Sequence, residues 1–150
     1  MLTLSSEDRS FLHQARVGRL ATASATGEPH VIPVCFVFDG ARFYSALDTK
    51  PKRVATARLR RLQNLRENPR ASLLVDSYEE DWARLRYVLV MGSGDVLETG
   101  PDRERALDLL REKYPQYRAM RDFGQGPVIR VTPERVVSWR GGSPTSVHTA

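Results

Sequence analysis

The chain is nearly without cysteine: Cys35 stands alone among 150 residues. One thiol excludes an internal disulfide and any zinc or iron–sulfur site built from several cysteines. Histidine is scarce too, and His13, His30 and His148 fall on separate segments without ligand spacing, which argues against a histidine metal centre. No G-x-S-x-G elbow occurs, and Gly92-Ser93-Gly94 and Gly124-Gln125-Gly126 lack the rest of a phosphate loop or dinucleotide fingerprint. Long apolar runs are missing: Val31–Phe38 and Tyr87–Met91 are far too short to cross a bilayer. Met1–Gln14 is polar, without the apolar centre of a secretory signal. The expectation is a cytoplasmic protein with no membrane partner. With no self-sufficient catalytic constellation, any enzymatic chemistry has to be carried by a bound cofactor.

What the chain does have is a core's worth of apolar residues, 41% against 27% charged, in a length that suits one domain. It also has a concentrated charge. The net +5 hides a stretch from Lys50 to Arg70 that carries +7, in which Lys50, Lys52, Arg53, Arg58, Arg60, Arg61, Arg66 and Arg70 face only Glu67. A local patch of that kind points to an anionic partner: a phosphate-bearing cofactor, a nucleic acid or an acidic surface. Aromatic residues are not interleaved with the cations and no reading motif is present, so nucleic acid is the weaker reading. Arginine outnumbers lysine by 20 to 3, so no single arginine is a strong signal.

Local patterns place the elements. Ser5 with Asp8 marks a helix start, and the helix reads to about Ala15. Val17–Ser24 reads as a strand, Ala25–Glu28 as a turn, and His30–Phe38 as a second strand interrupted only by Pro33. Asp39-Gly40 is a hairpin signal with Ala41–Leu47 returning. From Pro51 the spacing of Ala55, Leu59, Leu62 and Leu65 becomes helical, and Asn68-Pro69 stops it. Ala71–Asp76 is a strand, Ser77–Arg84 an acidic insertion, and Leu85–Glu98 a long strand in which Gly92 and Gly94 mark a bulge or bend. Gly100-Pro101 opens a helix to Tyr114, and Val128–Val131 and Arg135–Trp139 read as two last strands. The pattern is mainly β with inserted α: an antiparallel barrel of six to seven strands with two to three helices, formed by residues 1–142, and a flexible tail at 143–150.

Three ordered segments carry a resemblance: Val31–Gly40, Phe43–Lys52 and Leu62–Val75, the last containing the phrase NLRENPRASLLVD's core after a basic helix. Together they resemble the pyridoxamine 5'-phosphate oxidase-like split β-barrel family, and within it the branch that uses the deazaflavin coenzyme F-420. The resemblance spans roughly residues 5 to 140 and is more specific in the N-terminal half. It implies an FMN-binding split β-barrel fold, a homodimer with the cofactor at the subunit interface, and hydride transfer between a bound deazaflavin and a small-molecule substrate. The alternatives are FMN as cofactor in a reductase or oxidase, or a non-catalytic flavin carrier. By position, Pro33, Val34, Cys35 and Phe36 would lie beside the ring, contacting it largely through backbone groups. Tyr44, Ser45 and Ala46 would flank the ring and ribityl chain, and Thr49, Lys50, Lys52, Arg61 and Asn64 would hold the phosphate. The segment between Leu47 and Asn64 is longer than in compact pyridoxamine oxidases, and no pyridoxal-phosphate set follows near the C-terminus, which argues against vitamin B6 oxidation. The residues themselves agree in kind, since a phosphate needs cations with neutral donors beside them and a flat ring needs a dry wall.

Overall fold

The computed structural model describes residues 2–47 and 55–150, the side chains of 55–59 excepted. Helix α1 (Ser6–Gln14) begins where Ser5 accepts a hydrogen bond from the Asp8 amide at 3.1 Å, with Glu7 and Asp8 in the positive first turn. Strands β1 (Gly18–Ala23) and β2 (Pro29–Val34) form a hairpin; β3 (Val37–Phe38) and β4 (Phe43–Ala46) form another. The Asp39 carboxylate shapes the second turn by accepting from the Ala41 and Arg42 amides. Helix α2 (Ala55–Glu67) leads into β5 (Arg70–Ser77), a single 3₁₀ turn (Trp82–Arg84) and β6 (Arg86–Leu97). Helices α3 (Pro101–Lys113) and α4 (Pro115–Ala119) precede β7 (Val128–Arg140) and β8 (Ser146–Thr149).

All pairings are antiparallel, in the order β2-β1-β5-β6-β7-β4-β3, with β8 added on β7. The two end strands, β2 and β3, are separated in the chain only by Cys35 and Phe36. The covalent chain therefore carries one end of the sheet round to the other without a ladder between them, which makes a half-barrel with a split. Inside it pack Leu20, Phe36, Phe43, Leu73, Val75, Val88, Val90 and Ile129, with Leu12 of α1 and Leu62 and Leu65 of α2. A second apolar cluster lies where α3 and α4 cover the sheet: Val37, Tyr44, Leu107, Leu110, Tyr114, Tyr117, Phe123 and Val128.

Three sequence expectations are corrected. The apolar run from His30 to Phe38 is two strands rather than one, because the chain leaves β1 after Val34 and joins β4 at Val37. The two last strands are one, β7, because β6 pairs along its whole length and absorbs Pro133 with a register shift between Met91 and Gly92. Gly92 is required there: a Cβ would stand 2.0 Å from the Thr132 carbonyl oxygen. The tail is not wholly free, since β4 pairs only with Val128–Val131 and leaves the β7 edge at Arg135–Ser138 open, and β8 fills it. Among the described residues there are thus eight strands and, with the short α4, four α-helices, the mainly β split barrel with inserted α that the sequence pattern expects.

Candidate functional site

The cationic stretch meets the sheet at one corner. Thr22 of β1 is the cross-strand partner of His30 of β2, so both side chains stand on the barrel-facing side of the hairpin. The Thr22 hydroxyl accepts from Asn64 Nδ2 at 3.0 Å, which seats α2 over this pair. One turn earlier on the same helix come Arg60 and Arg61; Arg60 reaches Glu28, two residues before His30, at 3.6 Å. Burial first, then the charges of Arg60 and Arg61, hold the His30 imidazole below its ordinary pKa of 6.5. His30 Nδ1 is buried and has no hydrogen-bond partner among the described residues. A corner with two guanidinium groups, neutral donors nearby and an unsatisfied imidazole nitrogen suits an anion.

Of the residues expected at the phosphate, Asn64 and Arg61 sit at this corner; Asn64 is buried and already bonded to Thr22. Thr49, Lys50 and Lys52 lie outside the described residues. The residues expected beside the ring divide by strand alternation. Val34 and Phe36 point into the half-barrel core, Cys35 lies partly buried against the second cluster, and Pro33 is exposed. The Phe36 backbone is engaged: its amide donates to the Tyr114 hydroxyl at 3.1 Å and its carbonyl accepts from that hydroxyl at 3.0 Å. Tyr44 is buried in the second cluster with Ala46 packed beside it, while Ser45 faces Leu20, Phe36 and Ile129 across a small void in the barrel. Beyond Tyr44, Ser45 and Ala46 have no strand partner on the β3 side among the described residues, because β3 pairs only with Phe43 and Tyr44. Among the described residues no strand pairs with the outer edge of β2 either.

That outer edge is apolar. Pro29, Val31 and Pro33 are exposed, Val31 to 59%. From Val31 a row continues in register across the outer sheet face through Ala21, Ser72 and Met91, with Leu74 opposite Leu89 beside it. Among the described residues no group of three or more His, Cys, Asp or Glu could hold a metal ion, and no helix is long and apolar enough to cross a membrane. Sequence reasoning passed over His30 and Arg60. The alternation of β2 could have placed His30 on the side of Leu20 and Val34, but nothing in the sequence brings α2 to it.

Comparison with known proteins agrees with this architecture. A curated relative, the 5a,11a-dehydrotetracycline/5a,11a-dehydrooxytetracycline reductase of Streptomyces rimosus, is 29% identical over 98% of this chain and 92% of its own. Among solved structures, a conserved hypothetical protein from Mycobacterium tuberculosis superposes with a TM-score of 0.69 at 24% identity, covering 95% of this chain and 91% of that one. A heme-binding protein from Mycobacterium smegmatis gives 0.71 at 19% identity, covering 99% of this chain and 60% of that one. The heme storage protein HutZ from Vibrio cholerae gives 0.68 at 17%, covering 97% and 94%. These structural likenesses concern the fold. The family model described as pyridoxamine 5'-phosphate oxidase matches residues 4–140, the whole half-barrel with its inserted helices, and the chain belongs to that family.

Proposed function

We propose that this protein is an oxidoreductase that binds a phosphate-bearing deazaflavin, coenzyme F-420, with FMN as the alternative, and passes hydride to a small unsaturated or electrophilic molecule. The observation that carries the reading is that the edge strand β2 bears both requirements: apolar Val31 and Pro33 exposed on its outer face, and His30 on its barrel-facing side near Arg60 and Arg61. A flat ring needs the first and its phosphate the second. The reductase named for the Streptomyces relative supports the redox class.

When bound, such a cofactor supplies the hydride. The chain supplies position and dryness. Arg60 and Arg61 hold negative charge at the α2 corner, the open β2 edge offers backbone donors and acceptors to a polar ring rim, and Val31 and Pro33 exclude water from its face. Thr49, Lys50 and Lys52 would complete the phosphate grip by the family resemblance. The outer sheet row of Val31, Ala21, Met91, Leu74 and Leu89 leaves apolar surface that a second copy of the chain would cover, placing the cofactor between two subunits.

The test is titration of the purified protein with coenzyme F-420 and with FMN, followed by absorbance and by sedimentation. Saturable binding of one, a dimeric mass at micromolar concentration, and oxidation of the bound reduced cofactor on adding an electron-poor alkene support the proposal. A protein that binds neither overturns it; one that binds tightly without any turnover is a carrier.

A further inference from the structure

We infer that His30 forms, with Arg60 and Arg61, an anion-binding cradle that takes a phosphate group and grips it harder when the imidazole is protonated. The placement is geometric. His30 stands opposite Thr22 on the barrel-facing side of the β1–β2 hairpin, and the Asn64–Thr22 hydrogen bond at 3.0 Å fixes the turn of α2 that bears Arg60 and Arg61 over it. Its Nδ1 is buried without a partner among the described residues, which in a folded protein calls for a ligand or an ordered water. Among the described residues the charges acting on it are Arg60 and Arg61 from α2, and Glu28, just before β2, is engaged by Arg60 at 3.6 Å. Thr22 and Asn64 add no charge. The two guanidinium charges disfavour a third cation beside them.

A phosphate reverses the balance. Two negative charges between the guanidinium groups cancel the repulsion that holds the imidazole neutral, and they favour its protonated form. Reciprocity follows: whatever raises the His30 pKa on binding is tightened by lowering the pH. No bond is made or broken; the only chemistry is uptake of one proton from solvent by the imidazole. The inference rests on the cofactor reading for the identity of the ligand, but the cradle itself is a property of these three side chains.

The experiment follows the His30 imidazole by proton NMR across pH 5 to 8 in the intact chain. His13→Gln and His148→Gln variants assign the His30 resonance by elimination. In sodium chloride the midpoint should lie below 6.5, and in sodium phosphate of equal ionic strength it should rise by at least about half a unit. An unmoved His30 midpoint overturns the inference, as does an equal shift at His13 and His148. In parallel, His30→Gln should weaken FMN binding about three- to tenfold at pH 6 and less at pH 8, and leave riboflavin, which lacks the phosphate, unchanged. If FMN and coenzyme F-420 both fail to bind while inorganic phosphate still moves His30, the cofactor reading falls and the cradle stands. Equal losses for FMN and riboflavin overturn the cradle as a phosphate site.

Discussion

Lys113 and Arg16 cap each other's helices. The Lys113 ammonium, at the end of α3, donates to the Leu12 carbonyl in the last turn of α1 at 3.3 Å, and the Arg16 guanidinium, just past α1, donates to the Lys113 carbonyl. Each cation thus meets the negative end of the other helix. The pair sits directly under the split: Lys113 Nζ is 4.0 Å from the Phe36 ring centroid, and Arg16 stacks over Tyr114. This seam joins α1 to α3 beside the Cys35-Phe36 link between β2 and β3.

This seam titrates. Burial, and then the charge of Arg16, pull the Lys113 pKa down from 10.5 to about 8. Between those values the unfolded chain binds more protons than the folded one, so this group makes stability rise with pH across that window. Lys113→Met should therefore gain on the wild type below pH 8 and lose that gain by about pH 10. Urea unfolding at pH 7 and pH 10 measures it; parallel pH profiles for the two proteins would contradict the lowered Lys113 pKa.

Tyr114 answers in the opposite sense. Burial pushes its phenol up to about 12, above its ordinary value of 10. The stability it contributes is complete below pH 10 and is lost as the pH rises through 12. Tyr114→Phe leaves the buried Phe36 amide and carbonyl without their partner and should cost about 2–4 kcal/mol at neutral pH. Chemical denaturation checks the magnitude, and ultraviolet titration of the wild type should show tyrosine that resists ionisation above pH 10, with Tyr44, also raised by burial, beside Tyr114.

Two ion pairs separate buried from exposed electrostatics. Asp8 is buried, and its carboxylate accepts from Arg86 at 2.9 Å and from Ser138 Oγ at 2.8 Å, tying α1 to β6 and β7. Asp8→Ala strands a largely buried guanidinium and should destabilise by about 3–5 kcal/mol. The Arg19–Asp76 pair, 2.8 Å long but roughly 40% exposed on each side, should lose less than about 1 kcal/mol on Asp76→Ala. Thermal melts of the two variants side by side decide the ranking.

At the β6 bulge, Gly92→Ala forces a methyl against backbone that cannot yield and should cost about 3 kcal/mol or prevent folding. Gly126→Ala is the comparison, because its Cβ would rest at an ordinary 3.6 Å from Leu47. Soluble yield and melting temperature report both, and equal tolerance at the two positions would refute the close approach.

For cofactor affinity, Arg61→Ala, Lys50→Ala and Lys52→Ala should each weaken binding about ten- to a hundredfold, at about 1.4 kcal/mol per decade. Arg66→Ala should do less, since Arg66 is paired with Glu98 at 2.8 Å on the surface. Added salt should weaken the wild type more than the variants, because it screens the charges they have lost. Unchanged affinity in all three would remove the basic stretch from the site.

Much of this protein was legible in one dimension. Capping at Ser5, the Asp39-Gly40 turn, the helical spacing of Leu62 and Leu65 and the stop at Asn68-Pro69 are local rules that act within a few residues, and each appears where the pattern places it. The charge concentration from Lys50 to Arg70 is likewise a property of composition. Strand partnership is not local. That β2 and β3 end at opposite ends of the sheet order, that β7 runs through Pro133, and that the tail adds β8 depended on which edges other strands had left open. The same holds for function: His30 reads as an isolated histidine until the Thr22 register and the Asn64 hydrogen bond bring Arg60 and Arg61 over it. Sequence by itself determined which residues are apolar, charged or turn-forming; only the tertiary structure decided which of them meet, because hydrogen-bond ladders and packing join positions that chain separation keeps apart.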